Sequence, residues 1–138
     1  MYYTLDMLEA ITMLDFACRR SFDVASGGEI AMEEWLVLRR VQRDPGITVS
    51  DLARKSRRDP TTTTRMLDRL VKKELLERRA DLRDRRRLRL FLTRPGYETA
   101  ARMQAVTDQL EQHLREVLSP SSEREIGRAI EVLLGGPD

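Results

Sequence analysis

The chain has 138 residues, with 41% hydrophobic and 35% charged side chains and a formal net charge of +2, the profile of one charge-rich, mainly helical domain. Its single cysteine, Cys18, excludes an intramolecular disulfide and a cysteine-rich zinc site. No apolar run approaches the roughly 20 residues of a membrane-spanning helix, and Asp6, Glu9, Asp15, Arg19 and Arg20 interrupt any signal-peptide core, so a cytoplasmic location is expected.

From Leu5 to about Phe22, Met7, Ile11, Leu14 and Cys18 recur at helical spacing, and Gly27-Gly28 closes this first helix. A second amphipathic helix, Ala31 to Arg43, carries Met32, Trp35, Leu36, Leu38 and Val41 and ends at Asp44-Pro45-Gly46. Thr48-Val49-Ser50-Asp51 has the form of a capping box with Asp in place of Glu, and it opens a short third helix to about Lys55.

The fourth helix has the clearest start. Asp59 can cap it, and Pro60 fits the first helical position, where a missing N–H costs nothing. Thr63, Met66, Leu67, Leu70 and Val71 share one face, leaving Thr61, Thr62, Thr64, Arg65, Arg69 and Lys72 on the other. Four consecutive threonines are poor helix formers, and capping needs only one. Their hydroxyls suit a helix N-terminus that faces phosphates and base edges.

Residues 78–89 then pack seven arginines and two aspartates into twelve positions. Leu88, Leu90 and Leu92 alternate with Arg87, Arg89 and Phe91, so the segment reads as a β-hairpin with a charged tip. A long helix follows from Leu92-Thr93-Arg94-Pro95-Gly96 to about Leu118, with an apolar stripe from Tyr97 through Met103 and Leu110 to Val117. The last helix starts near Ser119-Pro120 with a Ser122-x-x-Glu125 box and ends at Gly135-Gly136-Pro137.

The expected fold is therefore mainly α (α+β): a winged helix-turn-helix with about six helices and one β-hairpin wing. Charge follows this order. Residues 51–94 hold 16 Lys/Arg against 7 Asp/Glu, and the remainder holds 9 against 16. A basic middle between acidic ends is the footprint of a polyanion-binding face. No basic amphipathic helix rich in Trp, Phe or Leu points to a membrane surface, so double-stranded DNA is the expected partner.

Leu52-Ala53, Thr62-x-Thr64-Arg65, Asp68-Arg69-Leu70, and Asp84-Arg85-Arg86 followed by Leu92-Thr93 and Gly96 resemble the MarR family (multiple-antibiotic-resistance regulators) in order and spacing. The resemblance implies one domain over 1–138, with dimerisation helices at 1–46 and 94–138 and the DNA-binding module at 47–93. It implies a homodimeric repressor on a pseudo-palindromic operator, released by a small aromatic or phenolic effector. DNA contact in the major groove then falls to Thr62, Thr64 and Arg65, and the polar face of the fourth helix adds Thr61 and Arg69. Arg86 enters the minor groove, Arg85 meets a nearby phosphate, and Asp84 fixes the wing's arginines. Arg78, Arg79, Arg87 and Arg89 are left as strand positions of general attraction. Glu74 stands where the family has Gly, so a left-handed backbone there implies strain. Ser56 and Arg58 replace usually apolar residues.

Phe16, Arg20, Met32 and Trp35 are the candidates for an effector pocket between the first two helices and the fifth, although packing at a subunit interface is the favoured reading for them. Met and Tyr residues near the N-terminus read as interface filler. Cys18 reads as a small core residue rather than an oxidant sensor, and His113 as a surface or interface residue. With one histidine, no Ser/His/Asp set and no phosphate-binding glycine loop, neither an enzyme nor a metal or cofactor site is expected. The alternative function is a winged-helix protein-interaction module without DNA binding.

Overall fold

In the computed structural model, which describes residues 6–136, six helices and one hairpin follow the expected order. They are α1 (Met7–Ser26), α2 (Met32–Arg43), α3 (Val49–Ser56), α4 (Pro60–Lys72), β1 (Leu76–Ala80), β2 (Leu88–Leu92), α5 (Arg94–Val117) and α6 (Ser122–Leu134). The expected start at Leu5, Met1, Tyr2 and Tyr3, and Pro137 lie outside the described residues. Helix α1 runs one turn past Phe22 and stops at Gly27, whose φ of +72° is left-handed.

One core joins the winged unit to the flanking helices. Trp35, Leu38 and Val41 of α2 meet Leu52 of α3, Met66, Leu67 and Leu70 of α4, and Leu76 and Leu90 of the hairpin. Trp35 is fully buried, and its indole N–H donates to the hydroxyl of Thr107 on α5 at 2.5 Å. The carboxylate of Glu34, also buried, accepts from the Ala31 backbone N–H at 3.0 Å and from Lys73 Nζ at 3.2 Å. That ion pair ties the start of α2 to the end of α4.

The apolar stripe of α5 divides. Ala100 and Met103 are buried within the chain and Val106 and Leu110 pack against the core, whereas Tyr97 and Val117 are exposed. The uncovered apolar surface lies instead on α1, at Met7, Leu8, Ile11, Leu14 and Phe16, and on α6, at Ile126, Ile130, Leu133 and Leu134. The Ser122 box does not form: Ser121 is the N-cap of α6, and its hydroxyl donates to Glu125 Oε1 at 3.2 Å. At the far end of α6, Arg57 Nη1 donates to the Gly135 carbonyl at 2.6 Å.

The turn after α4 is left-handed, with Glu74 at φ +61°. Its carbonyl accepts from the Thr93 hydroxyl at 2.6 Å, and the Leu75 carbonyl accepts from the Thr93 N–H at 3.1 Å. The turn is therefore held against the start of α5, and the strain of an L-residue there cannot relax. Glu74→Gly is expected to raise unfolding stability by about 1 kcal/mol, read as a higher urea midpoint; an unchanged midpoint would mean that Glu fits this turn without strain.

Candidate nucleic-acid interface

The N-terminus of α4 is built as its sequence implies. Asp59 Oδ1 accepts from the Thr62 backbone N–H at 2.8 Å, and Oδ2 accepts from the Thr62 hydroxyl at 2.6 Å. The Thr62 side chain, then its backbone N–H, holds the Asp59 carboxyl below the usual carboxylate range. Thr63 is buried and donates its hydroxyl to the Asp59 carbonyl at 3.1 Å. Thr61, Thr64, Arg65 and Arg69 are exposed along one side of the helix, and Thr62 is half-buried.

The hairpin stands beside this helix with Leu76 opposite Leu92, Arg78 opposite Leu90 and Ala80 opposite Leu88. Strand alternation places these six residues on one face. Leu76, Leu90 and Leu92 are buried there, and Arg78 reaches across to the Asp68 carboxylate on α4. On the other face Arg79 lies over the Phe91 ring, 4.4 Å from its centroid, and pairs with Glu77.

The tip, residues 81–87, is closed by its own hydrogen bonds. The Asp81 N–H donates to the Arg87 carbonyl at 2.9 Å, and the Arg87 N–H to the Asp84 carbonyl at 3.0 Å. Asp84 Oδ1 accepts from the Arg86 backbone N–H and from Arg86 Nε, each at 3.1 Å. These bonds, the side-chain one first, lower the Asp84 pKa. The Arg86 side chain is nonetheless 91% exposed, so it is aimed without being covered.

Sequence reasoning missed a second aspartate. Asp81 is buried, and its Oδ1 accepts from the Arg83 N–H at 2.7 Å. Its Oδ2 accepts from Arg89 Nε at 2.8 Å, and Arg89 Nη1 also donates to the Gly46 carbonyl at 2.7 Å. The Arg83 N–H, then Arg89, holds the Asp81 carboxyl below its usual range. One guanidinium thus clamps the root of the wing to the loop before α3, where Leu90 also exchanges backbone bonds with Gly46 and Ile47.

Of the four arginines expected as strand positions, Arg78, Arg79 and Arg89 lie in strands. Arg78, Arg79 and Arg89 each have a specific partner, and Arg87 belongs to the tip rather than the strand. A D-x-x-D spacing at Asp81 and Asp84 was the available signal, because two carboxylates in one short loop need two sets of donors. Among the described residues, Arg65, Arg69, Arg83, Arg85 and Arg87 make no ion pair and are exposed. Thr64, Ser50, Arg78, Arg86 and Arg87 line a groove of about 270 Å³ between α3, α4 and the wing.

The four effector candidates are not brought together. Trp35 is in the core, Met32 packs half-buried against it, and Phe16 is exposed on α1. Arg20 lines a separate hollow of about 360 Å³ between α1 and α5, with Val106, Gln109 and the exposed His113. Ser56 is half-buried, and Arg58 lies exposed 3.5 Å from Glu33. Burial, then Asp15, raises the Cys18 pKa. Arg19 pairs with Asp15 and Glu33 and does not activate the thiol. Among the described residues no cluster of three or more His, Cys, Asp or Glu could hold a metal ion, and no helix is long and apolar enough to cross a membrane.

The sequence model described as MarR family matches residues 30–88. No curated protein matches the chain in sequence. Among solved structures, a MarR mutant from E. coli complexed with operator DNA shares 25% identity, covers 94% of each chain and superposes with a TM-score of 0.79. The S. aureus MepR–DNA complex, at 22% identity, covers 94% of this chain and 97% of its own with a TM-score of 0.81. The PcaV regulator from Streptomyces coelicolor, solved with its natural ligand, is 19% identical, covers 96% of both chains and gives a TM-score of 0.82. The last two share the fold.

Proposed function

Since this chain belongs to the MarR family of DNA-binding transcription regulators, we propose that it acts as a homodimeric repressor on a pseudo-palindromic operator. One observation carries the reading: a capped helix with exposed Thr61, Thr64, Arg65 and Arg69 stands beside a braced wing whose Arg86 is aimed outward. In this reading α4, including Thr62, occupies the major groove. Arg86 enters the adjacent minor groove, Arg85 meets a phosphate, and Asp84 orients Arg86.

The homodimer is supported by the apolar faces of α1 and α6, which a single chain leaves open. We assign 1–46 and 94–138 to dimerisation and 47–93 to DNA binding, with α2 also supplying the core of the winged unit. A small anionic effector would meet Arg20 and His113 in the hollow between α1 and α5. The relative solved with its natural ligand lends that part its support.

Selecting duplexes from a random pool tests the reading, with a palindromic motif as the expected product. Affinity should fall with salt at a log–log slope of about −0.9 per phosphate neutralised. Arg86→Ala should weaken binding about ten-fold and make the slope shallower by about one. Thr64→Ala or Arg65→Ala should relax base preference at one defined position. No enriched sequence, with affinity indifferent to salt, would point to the protein-interaction module instead.

A further inference from the structure

Leu82 is 100% exposed, which no other large apolar side chain among the described residues matches. A lone exposed leucine is ordinary on a protein surface, so its setting decides whether it means anything. Here the setting is a loop that holds the leucine out. The carboxylate of Asp81, immediately before it, accepts from the N–H groups of Arg83 at 2.7 Å and Asp84 at 3.4 Å. The Asp81 N–H closes the loop on the Arg87 carbonyl at 2.9 Å. With its flanks fixed in this way, Leu82 is kept from folding back onto the apolar face of the hairpin.

Its neighbours define what it can meet. Arg83, Arg85, Arg86 and Arg87 belong to the same tip and are all exposed. Four guanidinium groups in the same short loop would be desolvated at cost in an apolar protein interface, but they match a groove walled by phosphates. Inside a minor groove the sugar walls and base edges offer apolar contact, and an apolar side chain between base steps unstacks them and bends the duplex.

We propose that Leu82 is an apolar wedge that enters the minor groove beside Arg86 and opens a deformable pyrimidine–purine step. The wedge rests on the DNA-binding reading above and adds a sequence preference that no hydrogen bond carries. The loop's bracing fixes the backbone on either side of Leu82, so insertion has mainly side-chain rotamers left to order.

The test uses the full chain and a duplex that it selects from a random pool, labelled at both ends to report bending by energy transfer. Leu82→Ser is expected to lower affinity about ten-fold and to reduce the bend. Its salt slope should stay at the wild-type value, because no charge is lost. Leu82→Met should restore both. Replacing the pyrimidine–purine step under the wing with a stiffer one should weaken the wild type and leave Leu82→Ser unaffected. If Leu82→Ser binds and bends like wild type while Arg86→Ala weakens binding, the wedge is overturned and the DNA-binding reading stands. A loss of affinity with an unchanged bend overturns the wedge as well. If the wild-type chain selects no duplex, both readings fall.

Discussion

Gly96→Ala is expected to destabilise the chain by roughly 3 kcal/mol, at the upper end of the cost of forcing extra volume into a packed site. A Cβ on Gly96 would stand 2.1 Å from the Leu75 carbonyl oxygen and 3.1 Å from its carbon, both backbone atoms. Neither can swing aside, because the Leu75 carbonyl accepts from Thr93 and the Thr93 hydroxyl caps the Gly96 N–H at 3.0 Å. The turn after α4 and the start of α5 are therefore pressed together at this glycine. In an exposed helix the same substitution stabilises by about 1 kcal/mol. Gly127 on α6 has open space around its Cβ position within the single chain and supplies that control at concentrations where the chain is unpaired. Urea unfolding of both variants should show opposite signs. A Gly96→Ala protein as stable as wild type would show that this corner has slack.

Arg89→Ala should cost DNA affinity about a hundred-fold, more than the loss of Arg86 alone, because every tip contact depends on where the wing root is held. Arg89 satisfies the Asp81 carboxylate and the Gly46 carbonyl with one rigid guanidinium. Arg89→Lys keeps the charge but presents a single nitrogen, so it should recover only part of the loss. Faster amide exchange at Arg83 and Asp84, with helix content unchanged, would locate the defect in the wing. Acid should act on the same clamp. The Asp81 carboxyl is held below its usual range when folded, so the clamp is complete at neutral pH and weakens as pH falls through that lowered value, below the ordinary Asp figure of about 3.9. Asp81→Asn should abolish this acid step and show the loosened wing at neutral pH. If Arg89→Ala binds DNA like wild type, the wing needs no clamp.

Much local chemistry was legible in the sequence where its partner lay within a few residues, although Asp81 and the cap of α6 were missed. Asp59 and Pro60 announced the start of α4, Thr48 that of α3, and the alternation of Leu88, Leu90 and Leu92 the inner face of the hairpin. The family's Gly at the position of Glu74 flagged the left-handed turn. What else stayed hidden depended on groups far apart in the chain. Arg89 looked like loose charge because the Gly46 carbonyl is 43 residues away. Trp35 looked like a subunit-interface residue, with an effector pocket as the alternative, because its acceptor, Thr107, is 72 residues away. The stripe on α5 gave no sign of how much of it α2 would cover. Gly96 was visible as a motif position, but the reason for it, the Leu75 carbonyl, was not.

The cap of α4 also sets what its threonines can say to a base pair. A hydroxyl carries one proton, and the proton of Thr62 is already directed at Asp59 Oδ2. Toward the duplex Thr62 has only lone pairs and a methyl group left, which suits the amino group of adenine or cytosine, or the methyl of thymine, and cannot donate to guanine O6. Thr63 faces inward. Only Thr61 and Thr64 keep a free donor, so in the proposed complex the three outward threonines would read DNA with two different vocabularies.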